Sequence, residues 1–169
     1  MSQVIRTATT SDLDAVAAIY DHEVAHSIAT FDQEPRPRSY WEARLGSDEP
    51  GDHLLVAEDP ELGVVGYAYS SAYRPRPAYR HTRESSVYLA EAARSRGLGR
   101  ALYDRLLDRM RADGVHTVIA VIALPNPASV ALHEAVGFRH VGTLTEVGHK
   151  FGRWIDTAWF ELRLGPAPE

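Results

Sequence analysis

The sequence predicts one α/β domain built on a mixed sheet. Three observations carry this expectation. Apolar runs of strand length alternate with runs at helical spacing. One strand passes through a glycine turn straight into an amphipathic helix. The order reads strand, two helices, three strands, helix, strand, helix, two strands. The length of 169 residues suits a single domain, and 44% hydrophobic with 24% charged residues is an ordinary globular composition.

Each element has a local reason. Val4–Ala8 reads as a strand, and Thr10-Ser11-Asp12 offers a helix cap with Asp12 and Asp14 favourable in the first turn. Leu13, Val16, Ala17, Ile19 and Tyr20 then recur at helical spacing. Pro35 and Pro37 mark a loop, and Tyr40 to Leu45 reads as a short second helix. Leu54–Ala57 and Val64–Tyr69 flank the turn Asp59–Gly63, which predicts a hairpin. Arg74 to His81, with two prolines, predicts an exposed irregular loop, and Ser85 to Leu89 a strand. Arg96-Gly97-Leu98-Gly99 opens a helix to about Ala112, with Gly114 as its stop. Val118 to Leu124 is an almost unbroken apolar run, the pattern of a strand buried on both faces. Ser129 to Val136 predicts a short helix stopped by Gly137. Strands are expected around Phe138–Thr143 and Trp154–Leu164. The domain is expected to span 1–164, with a frayed tail over 165–169.

Composition narrows the function. The chain has no cysteine, which excludes disulfides, thiolate metal sites and a cysteine nucleophile, and fits a reducing compartment. No apolar run reaches 18 residues and no basic-then-apolar leader is visible, so a cytoplasmic protein without a membrane helix is expected. The net charge of -5 argues against nucleic-acid partners. That average hides a split: Arg74 to Arg111 holds ten arginines against four acids. Solvated helix faces would account for this; so would an anionic ligand held in the middle of the chain. The histidines offer only His22-x-x-x-His26 as ligand spacing, without the glutamate of a zinc protease, and no metal is expected.

The glycine turn is the sharpest feature. In Arg94-Ser95-Arg96-Gly97-Leu98-Gly99-Arg100-Ala101 the glycines let backbone approach a ligand, and the first helical amides favour an anion. The turn lacks the third glycine of a dinucleotide fingerprint and the Gly-Lys-Ser/Thr of a Walker loop. A structural turn ringed by solvated arginines is the plain alternative.

Arg94-x-x-Gly97-x-Gly99 after a strand resembles the acetyl-CoA diphosphate loop of the GNAT superfamily of N-acetyltransferases. Asn126-x-x-Ser129-x-x-Leu132-His133-Glu134-x-x-Gly137-Phe138 is similar to that superfamily's second cofactor motif. A narrower resemblance, to the phosphinothricin and methionine sulfone N-acetyltransferases, rests on Glu84–Leu89, Val121–Asn126 and Gly148-His149-Lys150-Phe151-Gly152-x-Trp154-x-Asp156. Ser27-Ile28-x-Thr30-Phe31 and Arg76-x-x-Tyr79 also match it. The resemblance implies a GNAT-type fold: a mixed, largely antiparallel sheet of about seven strands flanked by four helices. It implies acetyl-CoA as co-substrate, a small amino acid as acceptor and a homodimer.

Site expectations follow residue by residue. Glu84 matches the family's general base; pairing with Arg83 or Arg80 is its structural alternative. His133 stands where many superfamily members carry the acid that protonates the thiolate, with Tyr103 and Tyr88 as other acids. Val87, Leu89, Arg94, Arg96, Gly97, Leu98, Gly99, Arg100, Ala101, Asn126 and Ser129 match the cofactor-binding positions, and Asn126 would equally cap the helix after it. Phe31, Arg76, Tyr79 and Lys150 are the substrate-binding expectations, Arg76 because a guanidinium suits a carboxylate or phosphinate. Lys150 and Trp154 either reach a neighbouring subunit's site or serve packing.

Overall fold

The computed structural model describes residues 3–165, so the tail expected to fray beyond residue 165 lies outside the described residues. The strands are β1 (Val4–Thr7), β2 (His53–Asp59), β3 (Gly63–Ala72), β4 (Thr82–Leu89), β5 (Thr117–Ala123), β6 (Arg139–Lys150) and β7 (Arg153–Arg163). The helices are α1 (Leu13–His26), α2 (Arg38–Leu45), α3 (Leu98–Ala112) and α4 (Pro127–Ala135). One sheet holds all seven strands in the order β1-β2-β3-β4-β5-β7-β6. Every neighbouring pair is antiparallel except β4–β5, so the expected mixed, largely antiparallel sheet with four helices is present.

Alternation along β2 explains the layering. Leu54 and Val56 face α1 and α2, where Leu13, Val16, Tyr20 and Trp41 bury against them. Leu55 and Ala57 face the other way, into a core with Leu102, Leu106 and Met110 of α3. The apolar run of β5 sits mid-sheet, but it is not buried on both faces as expected: Val118, Ala120 and Ile122 are buried under α3, whereas Ile119 and Val121 on the opposite face stay partly exposed.

The entry to α1 shows local chemistry at work. The Asp12 carboxylate accepts the Thr9 amide at 2.7 Å and the Arg6 guanidinium at 2.7 and 2.9 Å. Hydrogen bonds from Arg6 hold its pKa down at about 2.

Several boundaries differ from the sequence expectation: β2 and β3 run longer, β4 begins three residues earlier at Thr82 and α4 two residues earlier at Pro127, and two further differences have a clear cause. α2 begins at Arg38, two residues early, because Pro37 takes the extended cap position. β6 runs on to Lys150 instead of ending near Thr143. Its register shifts between Leu144 and Gly148, and nearly all its residues are exposed, so it lacks the in-out alternation that marks a strand.

The geometry that positions the site is the junction of β4 and β5. These strands pair only over Thr82–Glu84 and Thr117–Ile119. Beyond Glu84 they diverge, and alternate peptide groups of β4 between Ser85 and Leu89 lose their strand partner on that side. A V opens mid-sheet, with Glu84 at its vertex.

Candidate active site

A cleft of about 720 Å³ fills that V. Ser85 to Leu89 form one wall, Val121 to Ala123 the other, and the α3 and α4 starts close its end; Glu23 and Ser27–Ala29, from the end of α1, form its rim.

The glycine turn folds as it does for two separate reasons. Gly97 caps α3 with φ of 79°, in the left-handed region, and no atom lies within 4 Å of where a Cβ would stand. It is needed for conformation, not space. Gly99 is helical, and a Cβ there would meet the Leu132 side chain at 3.0 Å. It lets α4 approach α3. The first helical bond of α3 runs from the Ala101 amide to Gly97 O at 3.1 Å, leaving the Leu98, Gly99 and Arg100 amides without a helical acceptor. These amides present a positive end to the cleft.

Of the cofactor expectations, Val87, Leu89, Arg94, Gly97, Leu98, Gly99, Arg100, Asn126 and Ser129 line the cleft. Arg96 and Ala101 do not. Arg96 is drawn off to Asp59 at the end of β2, at 2.9 Å, and the Ala101 amide is already spent on Gly97 O. Asn126 does cap α4, its Oδ1 accepting the Ser129 amide at 3.1 Å, while still facing the cleft.

His133 is 4% exposed on the cleft wall. Its Nδ1 stands 2.7 Å from the Ser129 carbonyl oxygen, which can only accept, so Nδ1 carries the proton. Nε2 therefore accepts from the Tyr103 hydroxyl at 2.7 Å, and Ser85 Oγ, at 3.1 Å from that hydroxyl, donates to it. Burial pushes the His133 pKa down, against the opposing effect of the Ser129 carbonyl, so the ring is neutral near pH 7. Tyr103 corrects an expectation: it is fully buried behind His133 and does not line the cleft, so it cannot act there as a separate acid.

Glu84 is half-buried, and burial raises its pKa, while the Arg74 and Arg44 charges pull it back. The alternative of a pair with Arg83 fails. That guanidinium is buried on Pro50 O, at 2.6 and 3.1 Å, and on Asp52. Among the described residues Glu84 has no ion-pair partner within 4.0 Å.

The four substrate expectations fare differently, and none lines the cleft. Phe31 is 40% exposed and its ring lies flat enough on the β6 backbone that a Cβ on Gly148 would sit 2.4 Å from it. Tyr79 packs edge-on against Tyr73 in the loop that also carries Arg76, both exposed. Lys150 corrects the expectation most clearly. It is 3% exposed, and its Nζ donates to Ser27 O and Thr30 O, both at 2.8 Å. Its charge braces the loop that carries Phe31; it is not offered to a ligand. Burial lowers its pKa, partly offset by Asp32 and Glu23.

Sequence reasoning missed Glu23, Ser85, Arg44 and Arg74. Arg74 was within reach, two residues before Arg76 in the same basic loop. Arg44 lies over the ring of Tyr40, one turn earlier on α2, at 4.7 Å, and over that of Tyr69 on β3 at 4.4 Å; the second contact depends on tertiary packing.

Comparison with known proteins agrees with this geometry. Residues 5–159 match the family described as "Acetyltransferase (GNAT) domain". The chain is similar to phosphinothricin N-acetyltransferase of Streptomyces coelicolor, 44% identical over 165 residues that cover 95% of each protein. It is similar also to an L-methionine sulfoximine/L-methionine sulfone acetyltransferase of Pseudomonas paraeruginosa, 38% identical and covering 98% of this chain and 97% of that one. A phosphinothricin acetyltransferase of Sinorhizobium meliloti, solved in complex with acetyl-CoA, superposes with a TM-score of 0.93 at 39% identity, covering 99% of this chain and 91% of that one. A splayed sheet, an anion-accepting helix start and these full-length likenesses lead to one conclusion: the chain belongs to the GNAT family of acetyltransferases.

Proposed function

We propose that this enzyme moves acetyl from acetyl-CoA to the α-amine of a small L-amino acid of the phosphinothricin, methionine sulfone or methionine sulfoximine type, by direct attack in a ternary complex. The observation that carries the reading is the V between β4 and β5, with the bare amides of α3 at its end. An extended thioester arm can pair with the unpartnered edge of β4 while its diphosphate meets the Leu98, Gly99 and Arg100 amides. The residues present fit that co-substrate: the cleft walls are apolar strands, and Arg94 and Arg100 stand at the anionic end.

Glu84 takes the proton from the substrate ammonium, directly or through a water, freeing the lone pair. Its position at the last β4–β5 pair, just before the cleft-lining Ser85, and its half-buried carboxylate without an ion-pair partner among the described residues support this role, because burial strengthens its hold on a proton. The new N–C bond forms as peptide groups of β4 polarise the thioester carbonyl. As the C–S bond breaks, the attacking nitrogen sheds its second proton to solvent in the cleft. The thiolate takes the Nδ1 proton of His133, while Tyr103 passes its own to Nε2 and Ser85, on the cleft wall, returns one from solvent to Tyr103. The chain has no cysteine, so an acyl-cysteine intermediate is not part of the route. Phe31, Arg76 and Tyr79 choose the acceptor, joined by Arg74. A homodimer is part of the proposal, supported by the exposed Val141, Leu144, Val147, Phe151 and Trp154 on the β6–β7 hairpin.

The test is thiol release from acetyl-CoA across a panel of L-amino acids with phosphinothricin, methionine sulfone and methionine sulfoximine. Turnover confined to these analogues is expected. Coenzyme A binding without release for any amine would make the chain an acyl-CoA sensor instead. Light scattering after size exclusion should give twice the monomer mass.

A further inference from the structure

Arg94 opens the cofactor turn and lines the cleft, yet it is not free there. Its Nη2 donates to Oε1 of Glu23, on the last turn of α1. Half of the arginine side chain is open, while the Glu23 side chain is only 7% exposed. The other Glu23 oxygen accepts the hydroxyl of Ser27, the residue that ends α1. Glu23 lines the cleft as well, and no step of the proposed reaction uses it.

A carboxylate beside a diphosphate site is adverse unless it is neutralised. Here it is also buried, with the Ser27 hydroxyl on one oxygen and the Lys150 charge acting on it only through space, so an arginine that swung away to the ligand would break its one direct ion pair inside the protein. Arg94 must therefore serve both anions at once. A guanidinium can do this, since it carries five N–H donors in one rigid plane, and the Glu23 bond occupies one of them. That bond fixes the plane and leaves the remaining donors toward the cleft. The neighbouring arginines lack such a tether: Arg96 is bound outside the cleft to Asp59, and Arg100 stands 3.7 Å from Asp104 on an exposed face.

We propose that Glu23 is a positioning residue for the co-substrate, tethering the Arg94 guanidinium across the cleft rim so that it meets the diphosphate of acetyl-CoA. The proposal rests on reading the glycine turn as the acetyl-CoA site. Glu23→Gln keeps the shape and removes the charge. Titration calorimetry should show its Kd for coenzyme A raised about tenfold, the scale of one lost charge-assisted bond. S-acetylpantetheine, which has no diphosphate, should keep its wild-type KM within roughly twofold. The Glu23→Gln/Arg94→Gln pair should lose less than the sum of the two single losses. Coenzyme A binding by Glu23→Gln equal to or tighter than wild type would overturn the proposal, and so would an equal loss with S-acetylpantetheine. Wild-type protein that does not bind coenzyme A at all would instead remove the acetyl-CoA reading, and this proposal with it. Should Glu23→Gln fail to fold, nitrogen-15 NMR of the wild type still decides. The Arg94 resonances, assigned with Arg94→Lys, should show restricted guanidinium rotation both free and with coenzyme A; release on ligand addition would refute the tether.

Discussion

Removing a single oxygen atom, in Tyr103→Phe, tests the buried network behind the cleft. The ring stays in its pocket against His133 and Phe138, so no cavity of consequence opens. The loss is polar. Nε2 of His133 loses its donor at 2.7 Å, and Ser85 Oγ loses the acceptor at 3.1 Å. Nε2 cannot recover by changing tautomer, because the Ser129 carbonyl keeps the proton on Nδ1. A buried group left unsatisfied costs about 1–3 kcal/mol. For a chain of this length that is roughly 2–12 °C in melting temperature. Circular dichroism at pH 7.5 reads the shift, and Ser85→Ala on top of Tyr103→Phe should restore part of it by removing the stranded hydroxyl. Turnover should fall by about 10²-fold, the scale of a lost proton relay. A melting temperature within about 1 °C of wild type would mean that the three side chains are not bonded as described.

Other outcomes follow from the same geometry. Glu84→Gln should lower turnover by at least roughly 10²-fold at neutral pH. In the wild type the acid limb of kcat/KM should lie above the ordinary glutamate value of about 4.3, because burial raises this pKa; a limb at or below that value removes Glu84 as base. A Cβ added in Gly148→Ala would stand 2.4 Å from the Phe31 ring, so the ring must move by about 1 Å to regain contact distance. That ring is the far end of an exposed side chain, so stability should hold, while KM for methionine sulfone rises about tenfold; an unchanged KM would take Phe31 out of acceptor binding. His133 has a depressed pKa when folded and an ordinary one, about 6.5, when unfolded. Its contribution is full above pH 6.5 and drains away as pH falls below it, since the unfolded chain binds the proton first. Melting curves from pH 7.5 to 5 should show that loss in the wild type and much less of it in His133→Gln, and parallel curves would contradict the buried neutral ring.

What could be read from the sequence was what local chemistry decides. The turn at Gly97 and Gly99, the cap at Asn126 and the apolar run of β5 each announce themselves within a few residues, and the strand–turn–helix order brought the cofactor positions with it. What escaped depends on partners far along the chain. Arg96 looks like its neighbours until Asp59, 37 residues away, claims it. Lys150 carries the same charge in sequence as in space, but only the fold places two backbone carbonyls, more than a hundred residues distant, around its ammonium. Tyr103 falls on the apolar stripe of α3, and that burial outweighs its polar handle. The second half of β6 was hidden for a different reason: an exposed edge strand with a shifted register has no alternation to read.

The early parting of β4 from β5 has a consequence for the life of the protein in a cell. The sheet is left short of one hydrogen-bonding neighbour in its middle, and in the proposed complex the bound co-substrate stands in for it. Folding and ligand supply are then linked by mass action. At a free concentration of 100 times Kd, binding adds about 2.7 kcal/mol to the folded state, a large part of the total for a small domain. The steady-state amount of this enzyme should therefore follow the acetyl-CoA supply, with the loaded form outlasting the empty one against proteases.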